Sequence, residues 1–215
     1  MAGEVPAAAA AAAPPAPELA WSPSTMTDAD IEALVVQVLL SEKAISGWRS
    51  CFGEAFPFED RTKTVVFWSF YEKGFGLPSG AFFRGLLHNC GLEATHHKPN
   101  SIMQIATFIH LCEGFLGIVP HFNLWRALCH LRAYLNKDTP DVVGGAAFSL
   151  HQGGKYPEAS FKDSNKRWAN ERFVVANTAP GLPPRIVLPP VLNTRWEEKP
   201  TDEEMEEVQV LLAEL

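Results

Sequence analysis

HLCEGFLGIVPHFNLWRALCHLR, residues 110–132, is the stretch on which the reading of this chain turns. Within it lie His110, Cys112, Glu113, His121, Cys129 and His130, each able to bind a metal or to move a proton. Either they converge on a site, or they are carried past one another by two packed helices. A helical wheel at about 100° per residue separates them. Cys112 and Glu113 fall on the apolar stripe of the first helix, while His110 sits roughly 160° from Cys112. Cys129 borders the apolar face of the second helix, His130 turns about 100° away, and His121 occupies the connecting turn. A zinc site needs three or four convergent ligands, usually supplied as close pairs. No C-x-x-C pair occurs anywhere in the chain, and no knuckle-like run of cysteines and histidine does either. The two cysteines are therefore expected as small core residues. Glu113 is expected as a buried-side acid that needs a partner, with Arg84 and Arg126 as candidates.

Working outward, PNSIMQIATFIHLCEG (99–114) predicts a helix. Ser101 and Gln104 are expected to form its capping box, Ile102, Ile105, Ala106, Ile109 and Cys112 its stripe, and Gly114 or Gly117 its end. Asn123 is expected to cap a second helix running to about Leu135, with Leu124, Trp125, Leu128, Leu131 and Leu135 buried. Upstream, LPSGAFFRGLLHNCG predicts a helix with Pro78 near its start and Gly91 past its end. TDADIEALVVQVLL places Thr27 and Asp30 as a cap ahead of Ile31, Leu34, Val35, Val38 and Leu39. TVVFWSFYEKG reads as a buried strand. GGAAFSLHQGG and ERFVVANT are further strand candidates that could pair with residues 64–71 in a small antiparallel sheet. His96 and His97, beside Lys98, read as a solvated connection.

The expected class is thus α+β, mainly α, with a helical core and a small antiparallel sheet. Residues 1–24 are rich in Ala and Pro and are expected to be a disordered leader. Residues 25–182 form the domain, 183–200 a Pro-rich linker, and 201–215 an acidic amphipathic helix. That helix opens with a Thr201–Glu204 capping box, and Met205, Val208, Leu212 and Leu215 fall at heptad spacing, as candidates for oligomerisation.

Charge is unevenly placed. The whole formal charge of −7 falls within residues 197–215, leaving the remainder neutral. A neutral body lacks the clustered Lys and Arg excess of a nucleic-acid footprint. One local exception is KYPEASFKDSNKRWANERF (155–173), where Lys162, Lys166, Arg167, Trp168 and Arg172 interleave bases with an aromatic, as single-stranded nucleic acid would require. Four cysteines are too few for a disulfide framework at this length and read as reduced thiols of an intracellular protein, cytoplasmic or nuclear. The N-terminus lacks a basic n-region and carries Glu4, so a secretory signal is not expected. No apolar run approaches a membrane span. Phosphate-loop and nucleophile-elbow motifs are missing, so no cofactor, metal or small-molecule ligand is indicated.

GFGLPSGAFFRGLLHNCGLEATHHKPNSIMQIATFIHLCEGFLGIVPHFNLWRALCHLR resembles the plant gypsy-type transposon domain, also labelled a gypsy-type transposase. The Gly-Leu-Pro turn at 76–78, FFRGLL, PNSI, CEGFLGI and PHFNLW carry the resemblance in order, and SNKRWANERFVV adds to it. It covers about residues 30–195. The resemblance implies a retroelement-derived protein that precedes coiled-coil regions, with no catalytic residue to carry over. A two-metal transposase would need a carboxylate triad on an alternating strand–helix framework, and this pattern is not present. The expectation is a non-enzymatic, gag-like structural or interaction protein with protein partners or self-association. A nucleic-acid-binding module acting through 155–173 is the alternative, and a transposase or nuclease stands last.

Overall fold

A computed structural model describes residues 21–55, 62–133, 143–151, 167–183, 190 and 201–213. It is mainly α with antiparallel pairing, as expected, but the strands form two small sheets where one was expected. The elements, in order, are α1 (Asp28–Val36), α2 (Lys43–Ser46), β1 (Arg49–Ser50), β2 (Lys63–Phe67), α3 (Trp68–Glu72), α4 (Ala81–Cys90), α5 (Pro99–His110), α6 (Phe122–Leu128), β3 (Cys129–Ala133), β4 (Ala146–Leu150), β5 (Arg172–Ala176) and α7 (Asp202–Ala213).

The first sheet has the order β1-β5-β2. β5 pairs with β2 from Lys63↔Ala176 to Phe67↔Arg172, as ERFVVANT and TVVF predict. The aromatic run does not continue as a strand. After Phe67 it turns directly into α3, which buries Phe70 and Tyr71. GGAAFSL pairs elsewhere: β4 joins β3 from Cys129↔Leu150 to Ala133↔Ala146. The second helix of the hairpin therefore stops at Leu128 instead of Leu135, because its last predicted turn is recruited as a strand partner for β4. Tertiary pairing overrides the helical period here.

Thr27 and Asp30 form the reciprocal cap of α1, with Thr27 N–H donating to Asp30 Oδ2 at 2.8 Å. Ile31 and Leu34 are fully buried. The stripe ends early, however. Val38 N–H bonds to Val35 O and Leu39 N–H to Leu34 O, closing α1 with two Schellman-type bonds. Val38 therefore occupies the left-handed position, φ 60°. α4 ends the same way with Gly91, φ 65°, as predicted. A glycine suits that position and a β-branched residue does not.

α5 begins at Pro99, in the first helical position. Ser101 is consequently inside the first turn and does not cap it. Its Oγ instead accepts from Phe148 N–H at 3.2 Å, tying α5 to β4. α5 widens into a π turn at Leu111–Leu116, closed by Gly117 at φ 66°. The core runs continuously through both sheets. Phe67 stands edge-on to Trp168 at 4.8 Å, and Phe108 and Phe148 stand edge-on to Trp125 at 5.0 and 5.1 Å.

Trp21 and Ser24 belong to the core, so the packed region starts before residue 25; residues 1–20 lie outside the described residues. Trp21 stacks on Phe67 at 6.2 Å and Ser24 Oγ donates to Arg172 O at 2.7 Å. His96 and His97 are also buried, contrary to the solvated loop expected. A 3-10 turn at Ala94–His96 and a bridge from His97 to Ala146 run this segment along β4. There Glu93 N–H donates to His96 Nδ1 at 3.1 Å, and His97 stacks on Phe148 at 5.3 Å.

Candidate interaction surface

The early stop of α1 has a consequence at the surface. Val36, Val38 and Ile45 are 82%, 88% and 74% exposed, and Leu39 is partly exposed, all within ten residues of chain. Leu39 and Ile45 line a groove of about 140 Å³ with Tyr71, Leu77, Pro78 and Val175. The Tyr71 hydroxyl is buried without a hydrogen-bond partner among the described residues. Burial alone raises its pKa, so the phenol stays neutral and able to donate. At this margin Lys43 pairs with Asp28 at 3.6 Å, both well exposed, and Glu42 is exposed between Leu39 and Ile45. Single exposed apolar residues need no explanation, but these four are grouped on one connecting segment. The sequence signal was available: Val38 and Leu39 continue the apolar spacing of α1 beyond the point where the helix can be closed.

A second exposed apolar point is the π turn. Phe115 and Val119 project there, and the His110 ring stands edge-on to Phe115 at 5.5 Å.

The residues picked out in the sequence are distributed differently. Glu113 is exposed, not on the buried side. Glu113 falls within the π turn at 111–116 and is exposed there, while Cys112 beside it remains buried. Of the nucleic-acid candidates, Lys162 and Lys166 lie outside the described residues, and Arg167 is exposed. Trp168 and Arg172 are buried and cannot stack on or grip a strand. Trp168 is held between Phe67 and Phe70, and Arg172 donates to the carbonyls of Ala169, Ser22, Glu54 and Ala55 at 2.6–2.9 Å.

The heptad candidates fare similarly. α7 forms and carries the predicted cap, Thr201 N–H to Glu204 Oε2 at 2.8 Å. It lies against α6, with Val208 fully buried and Met205 half-buried. Val208 is thus committed to the chain's own core and cannot serve an oligomer seam. The side chain of Leu212, and Leu215 altogether, lie outside the described residues.

Cys51, Cys90, Cys112 and Cys129 are all free and buried. Burial pushes the Cys90 and Cys129 thiols up to about 12 and raises those of Cys51 and Cys112, so none is a ready nucleophile. His130 Nε2 accepts from Arg132 Nε at 2.6 Å beside the His151 ring. Partial burial first, then the charges of Arg132 and His151, lower its pKa. Among the described residues no three His, Cys, Asp or Glu side chains converge to hold a metal. Nor is any helix among them long and apolar enough to cross a membrane.

Residues 65–133 match the model of a family described as "Putative gypsy type transposon". The gypsy-type resemblance holds for this segment. It runs from within β2 through α3, α4, α5 and α6 to the end of β3, and so includes the whole of the stretch at 110–132. The partners of both its strands, β5 and β4, lie beyond the gypsy-type segment. No curated protein and no solved structure matches the chain.

Proposed function

We propose that the chain is a non-enzymatic, gag-like interaction protein of a plant gypsy-type element, and that it associates with a second copy of itself through the α1–α2 surface. The observation that carries the reading is Val38. It is a β-branched residue in the left-handed region, almost fully exposed, at a helix-closing position that glycine would satisfy without strain. Strain at an exposed apolar residue brings the folded monomer no compensating burial, so its benefit is sought outside the monomer. The neighbouring Val36, Leu39 and Ile45 supply the apolar area, and the groove lined by Leu77 and Val175 supplies a concave acceptor for a protruding side chain. The buried, raised-pKa thiols accord with a role other than nucleophilic catalysis.

The test is molar mass by light scattering over a range of concentrations, on the full chain and on a Val38→Lys/Ile45→Glu double variant. A mass that rises with concentration for the parent and stays monomeric for the variant is expected. A monomer for both at the highest concentration, or equal association of both, overturns the assignment. Truncation at Pro200 would be a poorer test, because it removes Val208 from the core.

A further inference from the structure

A separate cavity of about 310 Å³ lies where the start of α1, the start of α3 and the turn before β5 meet. It has room for roughly ten waters, enough for an amino-acid side chain or a small ligand. Thr25, Met26, Asp30, Trp68 and Glu171 line it. Two backbone bonds hold the walls together: Trp68 N–H donates to Glu171 O at 2.8 Å, and Thr25 N–H to Asn170 O at 2.9 Å. Met26 is buried and forms an apolar floor. Thr25 and Asp30 are exposed, and Trp68 and Glu171 are half-buried, so both acids and the indole are accessible from solvent. Among the described residues, no Lys, Arg or His lines the cavity.

Trp68 differs from the other tryptophans among the described residues. Trp21, Trp48, Trp125 and Trp168 are buried. Trp21 carries the Arg172 guanidinium, Trp48 carries the Lys43 ammonium, and Trp125 and Trp168 pack on phenylalanine rings. Trp68 has neither a ring nor a cation against it among the described residues. The acid beside it is poised for one. Asp30 accepts from Thr27 N–H and Oγ1 at 2.8 and 2.7 Å, both through Oδ2, and these bonds hold its pKa below the ordinary value. Its Oδ1 is left for another donor, and Glu171 supplies a second carboxylate. The same end of α1 shows that the combination works. Lys43 Nζ sits 4.0 Å from the centre of the Trp48 ring and 3.6 Å from Asp28 Oδ2. An ammonium between an indole and a carboxylate is thus accommodated there, against the positive end of the helix dipole.

We propose that this cavity binds a primary alkylammonium group, the chemistry of a lysine side chain. The ammonium is held by the Asp30 and Glu171 carboxylates, and its methylenes lie against Trp68 and Met26. Three N–H donors match two carboxylates and the Thr25 hydroxyl, whose lone pairs remain after it donates to Asn170 O. A quaternary ammonium has no donor for these acceptors and is best held by a cage of several rings. An anion would face two like charges. Two sources share the primary-ammonium chemistry, a free alkylamine and a lysine within a peptide segment.

The experiment is an NMR titration of the full chain with n-butylammonium, with butan-1-ol as the uncharged counterpart. A parallel pair of short peptides carries one central lysine, free in one and Nε-acetylated in the other. At least one ammonium probe is expected to bind and to shift the Trp68 indole N–H resonance. Its neutral counterpart is expected to bind at least about tenfold more weakly. Glu171→Gln is expected to weaken binding about fivefold and Trp68→Leu about threefold. Glu113→Gln, an equal charge change at an exposed acid outside the cavity, is expected to leave it unchanged. Butylammonium binding identifies a free amine as a sufficient ligand, whereas binding of the free-lysine peptide alone identifies a side chain within a segment. No binding by either ammonium, or equal binding by charged and uncharged probes, overturns the proposal. So does undiminished binding by Glu171→Gln, or an equal loss in Glu113→Gln. The Glu171→Gln result stands even if Trp68→Leu does not fold.

Discussion

The guanidinium of Arg172 lies 4.9 Å above the ring of Trp21, and its Nη2 donates to the carbonyl of the next residue, Ser22, at 2.6 Å. The same nitrogen reaches Glu54 O and Ala55 O at 2.8 Å, and Nη1 reaches Ala169 O at 2.9 Å. One buried side chain from β5 thus ties three separated segments to the sheet. A planar fork with five donors suits this task as no ammonium does. Replacement by Met is expected to leave several carbonyls unsatisfied and to lower stability by at least about 3 kcal/mol. Arg167→Ala, at an exposed position, should stay within about 0.5 kcal/mol. Urea unfolding of both variants checks the contrast; equal effects would mean the Arg172 network is dispensable.

Val38 gives a prediction of opposite sign. Substitution by Gly removes the left-handed strain and loses almost no packing, since the side chain is almost fully exposed. Stability should rise by about 1 kcal/mol, the left-handed penalty being partly offset by the entropy of an added glycine. A fall in the unfolding midpoint would refute the strain argument.

His97 makes stability depend on pH. It is fully buried between Phe83 and Phe148, and burial, helped by the neighbouring His96, holds its pKa at about 3. The unfolded chain takes up this proton near pH 6.5 and the folded chain does not. Between those values the unfolded state binds more protons, so the contribution is fully present above about pH 6.5 and is lost as pH falls toward 3. His97→Phe should flatten the stability profile over this window by up to about 1.4 kcal/mol per pH unit relative to the parent. Parallel profiles for the two proteins would exclude a buried neutral imidazole.

Val208 distinguishes a docked helix from a free oligomerisation handle. Val208→Asp places a charge among buried apolar groups and should destabilise the fold by about 3 kcal/mol or more. A free handle would show unchanged thermal unfolding and a changed molar mass.

The thiols offer a simple chemical check. With all four cysteines buried and their pKa values raised, a thiol reagent should label the native protein slowly and all four sites rapidly in denaturant. Rapid labelling of one native site would identify an opening motion that the packing does not suggest.

The sequence was legible where local chemistry decides structure. Thr27 and Asp30, Thr201 and Glu204, Gly91 and Gly117 mark helix ends in the chain as they do in the fold. It was less legible where a distant segment decides. Cys129–Ala133 carries the helical spacing of α6 and becomes a strand because β4 lies beside it. Ser101 has the look of a cap and is drawn inward to Phe148 N–H. Arg172 and Trp168 look like a nucleic-acid contact because a buried arginine and an exposed one are spelled the same way. Glu113 lies where α5 gives way to a π turn, a change of period that no wheel at a constant angle can register. The groove could not be found in the sequence, since it is assembled from segments far apart in the chain.

The order β1-β5-β2 also sets a timetable for the molecule as it is made. β5, residues 172–176, is the central strand, and both of its neighbours are synthesised more than a hundred residues earlier. Until Ala176 has cleared the ribosome, Val65, Val66 and Phe67 have no partner, and Trp21 has no guanidinium above it. Such distant pairing is slow to form and leaves apolar strands uncovered in the interval. The nascent chain therefore emerges with its central strand last, and a ribosome stalled before β5 would present its chaperones with an open sheet.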